Sequence, residues 1–145
     1  TPKSMILRME KYMDLDEYNK DVYAVDDKIY YVVNKLNVKQ QDIAKFNFYI
    51  HKGNQENPYV NNRISDCYFR GKGVQRDIEQ ALFYALKAES QGSTKGYYNI
   101  GVCYELKEEF ENALIYFNKA KEEGSTIAAR KILLVSNKLE RLQEE

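Results

Sequence analysis

The chain has 145 residues, with 22 Lys+Arg set against 22 Asp+Glu and a single histidine. That length suits one domain with a core of its own. Zero net charge, without a run of about five or more like charges, removes the electrostatic footprint of nonspecific nucleic-acid or anionic-membrane binding, so neither partner is expected.

Taken from the N-terminus, Met5 to Tyr18 carries Ile6, Met9, Met13 and Leu15 at helical spacing, and Asp14-Leu15-Asp16 caps or breaks that helix. Asp21 to Val25 is short and β-prone, which allows a nonhelical link. Ile29 to Leu36 and Ile43 to His51 read as a helix pair. The first sets Ile29, Val32, Val33 and Leu36 on one face, the second Ile43, Phe46 and Ile50. Residues 1–58 are therefore expected to hold divergent N-terminal helices.

The next elements are more sharply written. Asp77 is placed to cap a helix, with Gln80 reaching back from the third helical position, and Ile78, Ala81, Leu82 and Ala85 share one face. Phe110, Ala113, Leu114 and Phe117 repeat that spacing. Alanines 81, 88, 113 and 120 keep contact positions small, so that helix axes can approach closely. Ser125 to Glu145 carries a stripe of Ile132, Val135, Leu139 and Leu142, as expected of a terminal helix that covers the open end of a stack. Gly53, Gly92 and Gly124 each follow a periodic stretch, where a helix-ending residue takes positive φ.

Two stretches read as one helical hairpin written twice. Ile64-Ser65-Asp66-Cys67-Tyr68, Gln80-Ala81 and Lys87-Ala88 are answered by Ile100-Gly101-Val102-Cys103-Tyr104, Asn112-Ala113 and Lys119-Ala120. A single hairpin cannot bury its apolar face, so neighbours must stack. The expected fold is all-α: a right-handed α-solenoid of stacked antiparallel helix pairs, with repeats over 59–92 and 93–124 and a C-terminal capping helix over 125–145.

The first of these stretches resembles the Sel1-like repeat, a relative of the tetratricopeptide repeat. Ile64, Ser65, Tyr68, Gly71, Gly73, Val74, Asp77, Ala81, Tyr84, Lys87 and Ala88 occupy the pattern's positions. Ser65 stands where the pattern has glycine, Gln80 where it has lysine and Glu89 where it has a final alanine, the last two at sites that can face water. The second stretch lacks the Gly-x-Gly-Val loop; from Tyr97 through Ile100, Gly101, Tyr104, Ala113, Phe117 and Ala120 it is similar to the ordinary tetratricopeptide pattern. The resemblance covers residues 59–145 and implies protein binding on a concave surface lined by the first helix of each pair. Carried over position by position, it implies a partner-binding row of Tyr59, Asn62, Asp66, Phe69 and Arg70, then Lys95, Tyr98, Val102, Glu105 and Leu106, then Arg130 and Leu134. Val102, Leu106 and Leu134 read equally well as core, whereas Tyr98, Arg70 and Arg130 suit an interface, where Tyr and Arg are enriched.

Chemistry is sparsely provided. His51 sits at an expected helix end, where histidine often meets the dipole. No Cys-x-x-Cys or His-Glu-x-x-His spacing occurs, so no metal or other cofactor is expected. Gly71-Lys72-Gly73 lacks the Gly-Lys-Ser/Thr ending of a phosphate loop and reads as the repeat's own turn. Cys67 and Cys103 fall at the same phase of parallel helices and are expected as free, buried thiols, which fits a reducing compartment and a cytoplasmic location. No apolar run approaches the ~20 residues that span a bilayer. The chain begins at Thr1 without Met, which leaves room for a removed upstream segment that included a targeting signal.

The expected function is noncatalytic protein binding. Its most specific form is a bacterial immunity protein that neutralises a cognate toxin, for which the short array and the Lys-, Asn- and Tyr-rich composition speak. A secretion chaperone or regulatory adaptor that binds peptides is the alternative. An enzyme or ligand site with inward-facing carboxylates, Asp66 with Glu105, is the rival from another class.

Overall fold

Helix punctuation largely follows the sequence. The computed structural model describes residues 38–144, and among these the regular structure is six α-helices. They are α1 Val38–Lys52, α2 Pro58–Arg70, α3 Ile78–Ser90, α4 Tyr97–Leu106, α5 Phe110–Glu122 and α6 Thr126–Glu144. The elements expected at Met5–Tyr18, Asp21–Val25 and Ile29–Leu36 lie outside the described residues.

Pro58 opens α2, where its missing N–H costs nothing, and the Asn57 side chain accepts the Tyr59 N–H at 2.9 Å. Asp77 caps α3 as expected by accepting the Gln80 N–H at 3.1 Å. The reciprocal half of the capping box is replaced. The α2–α3 loop folds back so that the Asp77 N–H donates to the Tyr68 carbonyl at 3.0 Å, which leaves Gln80 exposed.

Four helices end in one motif, α2 with Lys72 N donating to Cys67 O across Gly71 at φ +68°. After α3, Ser93 N donates to Ala88 O across Gly92 at φ +100°; after α5, Ser125 N donates to Ala120 O across Gly124 at φ +99°. After α4 the same 6→1 bond joins Glu109 N to Tyr104 O, but the left-handed residue is Glu108 at φ +60°. Gly53 departs from the expectation of positive φ. It is small for a spatial reason, since a Cβ there would lie 2.5 Å from the Tyr49 carbonyl oxygen and 2.8 Å from Val60 Cγ1.

Packing is between neighbours in the chain. Helices α2 and α3 form one hairpin, α4 and α5 the next, and α6 returns along α5. The buried residues fall into three clusters in chain order. Phe46, Phe48, Tyr49, Val60 and Ile64 join α1 to α2; Ala81, Leu82, Ala85, Ile100 and Cys103 join α3 to α4. Phe110, Ala113, Phe117, Ala120, Ala128 and Val135 join α5 to α6. The expected small contacts at 81, 88, 113 and 120 are all buried. Serving successive elements in turn, the clusters make an all-α solenoid.

The turn after α2 supports the helix before it. Gly71 ends α2 at φ +68° and Gly73 takes φ +75°; a Cβ on Gly73 would collide with the Asp42 carbonyl of α1. The Gly-Lys-Gly segment is thus a seat for α1 backbone. Ser65, where a glycine was expected, donates its hydroxyl to the Ala81 carbonyl at 2.7 Å and ties α2 to α3.

The terminal helix is apolar on more than one side. Val135 and Ala128 are buried and Ile132 and Leu139 half-buried, as the stripe requires, but Leu142 is 47% exposed. Ile127, Leu133 and Leu134 are exposed too, so α6 does not present the polar outer surface of a simple cap.

Candidate functional site

The Glu105–Lys131 pair sets α4 beside α6, and α2 forms a cleft with the turn that leads into α4. Tyr59, Asn62, Arg63 and Asp66 of α2 form one wall, and Ser93, Thr94 and Lys95 of the α3–α4 turn form the other, around about 420 Å³. Four residues of the expected row, Tyr59, Asn62, Asp66 and Lys95, meet here. Ser93 and Thr94 were missed because the carried-over row takes only Lys95 from this turn, and Arg63 because it lies on α2 outside that row.

The cleft is held open by bonds within the chain. Asn62 Nδ2 donates to Ser93 Oγ at 2.6 Å, and the Lys95 N–H donates to the same oxygen at 3.2 Å. Both lone pairs of that hydroxyl are engaged, so its O–H is a donor for something else. The Arg63 guanidinium lies over the rings of Tyr59 and Tyr49, 5.8 Å from each centroid.

Behind the cleft, Asn61 is fully buried. Its Nδ2 donates to Gln55 O and to Gln91 Oε1, each at 2.8 Å, and Gln91 Nε2 returns to Gln55 O at 2.9 Å. This lock joins the start of α2 to the end of α3, and Asn61 Oδ1 is left without a partner.

The remaining row residues divide. Asp66 accepts Arg70 Nε at 2.8 Å one turn along α2, and Glu105 accepts Lys131 Nζ of α6 at 2.8 Å. The carboxylates considered as a catalytic pair are thus each turned to a cation of their own. Phe69 packs against the α3–α4 cluster beneath Arg76, and Tyr98 against Phe117 with centroids 5.7 Å apart, so both rings are committed to packing. Arg130 and Lys95 are exposed. Leu106 and Leu134, which read equally as core, are 52% and 54% exposed, and Val102 is half-buried.

A second network lies between α3 and α5. Glu89, a site the pattern left to water, accepts the Tyr116 hydroxyl at 2.7 Å and Lys119 Nζ at 3.3 Å. Burial and this carboxylate push the Tyr116 phenol well above its ordinary value. Lys119 lies over Tyr116 at 4.7 Å and over Tyr97 at 5.6 Å, so the group is internally satisfied. Cys67 and Cys103 are free, and burial pushes both thiols up to about 11, away from nucleophilic use. Among the described residues no cluster of His, Cys, Asp and Glu could hold a metal ion, and no helix is long and apolar enough to cross a membrane.

Comparison with curated proteins and with solved structures gives no match. Comparison with family models gives two, adjacent to each other and bounded within a residue or two of the hairpins read from the sequence. The second hairpin, similar to the ordinary tetratricopeptide pattern and without the glycine loop, matches the same family as the first. Residues 58–93 and 94–125 each match the Sel1 repeat, and repeats of this kind indicate a protein-interaction module.

Proposed function

We propose that this chain binds one folded protein on the face shared by α2, α4 and α6, and that it does so as a bacterial immunity protein, neutralising a cognate toxin in the cytoplasm. The preformed cleft carries this reading. Its walls are fixed by the Asn62–Ser93 bond and backed by the Asn61–Gln55–Gln91 lock, so little ordering entropy opposes docking. Donors at the exposed Lys95 and the half-buried Ser93 beside Tyr59 give directionality next to apolar area, the mixture found at protein interfaces.

The test is affinity capture from the source cell, with wild type and Tyr59→Ala compared at equal helicity. One stoichiometric folded partner, lost in the variant, supports the reading. If expression of that partner arrests growth and co-expression of this chain restores it, the neutralising role follows. Many substoichiometric clients, or capture unaffected by the variant, would count against it.

A further inference from the structure

The face that carries the cleft is cationic although the chain is neutral. Among the described residues its acids are Asp66 and Glu105, each neutralised within the chain, by Arg70 and Lys131. Between Glu123 and Glu140 the sequence has no acid at all, yet Arg130, Lys131 and Lys138 fall there. The Glu105 pair turns the Lys131 flank of α6 toward α4. Ile127, four residues before Lys131, and Leu134, three after it, lie on that flank by helical geometry.

Both are well exposed, at 61% and 54%, as is Leu106 at the end of α4. Arg130 stands between them at the surface, and Lys95 is exposed in the turn that leads into α4. The cationic stretch has a limit. Lys138 lies over the Phe110 ring at 4.9 Å in a pocket that also contains Glu108, Glu109 and Glu111, so carboxylates return at that end.

We infer that the α4–α6 flank docks an acidic amphipathic helix of the protein partner, its apolar side chains on Ile127 and Leu134 and its carboxylates on Arg130 and Lys95. Seven residues separate the two apolar positions, about 10.5 Å along a helix, which is the spacing of i and i+7 anchors on a second helix laid alongside. Charge complementarity selects the acid: among the described residues the flank offers cations and no unpaired carboxylate until Glu108 and its neighbours. The inference rests on the protein-binding reading and adds the chemistry of what is bound.

The probe is a labelled Glu/Leu amphipathic helical peptide, with a Lys/Leu peptide of the same pattern as its control. Fluorescence anisotropy is followed at low and high salt for wild type, Arg130→Glu and Leu134→Ser, each checked for unchanged helicity. The expected result is salt-sensitive binding of the Glu/Leu peptide, at least about tenfold tighter than the control and at least about tenfold weaker in each variant. Equal or tighter binding of the Lys/Leu peptide overturns the acidic preference while leaving protein docking in place. Binding of neither peptide also overturns the inference, and the docking reading is then judged separately by the captured partner and its dependence on Tyr59. Stronger binding to phosphatidylserine vesicles or to duplex DNA, lost in Arg130→Glu, would overturn both.

Discussion

Phe117 lies directly over Gly101: a Cβ built on the glycine would fall 2.7 Å from both Cδ1 and Cε1 of the ring. The close crossing of α4 and α5 depends on that missing methyl group. Phe117 is fully buried and has Tyr98 against it, so the ring cannot swing aside without disturbing the α5–α6 cluster. Gly101→Ala gains a little helix propensity but overpacks this crossing, at a cost of about 1–3 kcal/mol. A denaturant midpoint unchanged from wild type would refute the argument.

Glu108 occupies the left-handed position that Gly92 and Gly124 occupy after their helices. A Cβ costs roughly 1–2 kcal/mol there, and the Glu108 side chain is exposed. Glu108→Gly is therefore expected to stabilise the protein by about 1 kcal/mol, offset in part by the glycine's freedom in the unfolded chain. Thermal unfolding reads it as a raised midpoint; a lowered one sinks the idea.

The features most legible in the sequence were those fixed by local rules. Asp77 capped α3 because an aspartate before an apolar periodic run has one favourable use, and Gly92 and Gly124 ended helices because backbone sterics left them little alternative. Features set by tertiary geometry were not legible. Gly53 is small because Val60 approaches it, and Glu89 is engaged because Tyr116 and Lys119 face it from the next hairpin. The candidate site divides in the same way. Tyr59, Asn62 and Asp66 were found by helix position and Lys95 through the row carried over from the resemblance, whereas Ser93 and Thr94 entered through a turn whose path no periodicity encodes. Arg63 lay on a helix but outside the row carried over from the resemblance.

Asn61→Ala removes the donor to Gln55 O and Gln91 Oε1 from a site with no access to water. Gln55 O keeps the Gln91 amide, but Gln91 Oε1 loses its bond. The expected cost is about 1–3 kcal/mol, reduced by release of the unpartnered Asn61 Oδ1. Because the lock backs the cleft, faster hydrogen exchange should appear first at the start of α2 and the end of α3. Uniform loss of protection across all the helices would contradict that localisation.

Alkaline pH should destabilise the fold through buried and half-buried groups held neutral. Cys67 and Cys103 ionise near about 11 in the folded chain, against an ordinary value of 9.0, and the Tyr116 phenol is also raised. A raised folded value means that the unfolded state loses its proton first. The contribution is complete below pH 9 and is lost as pH rises toward 11 for the thiols, and from about pH 10 upward for the phenol. Denaturant midpoints across that range should fall for wild type and fall less for Cys67→Ala/Cys103→Ala. Equal slopes would remove the thiols from the explanation. At pH 8 both thiols should also react with a disulfide reagent far more slowly than free cysteine, unless urea is added.

Glu105 and Lys131 are only 2.8 Å apart, with side chains 24% and 28% exposed, so the pair is screened by solvent and its removal should cost no more than about 1 kcal/mol. Its larger effect is on the charge of the face. In Glu105→Gln the amide keeps the shape of the side chain but no longer neutralises Lys131, and one more cation becomes available beside Ile127 and Leu134. An acidic helix docked on that flank should bind a few-fold tighter to Glu105→Gln than to wild type at low salt, and the gain should vanish at high salt. Asp66→Asn, which releases Arg70 from its i,i+4 partner on α2, serves as the comparison for a charge change away from α6. If the two variants raise affinity equally, attraction is general to the protein's charge and the partner is not seated on α6; a gain confined to Glu105→Gln places it there.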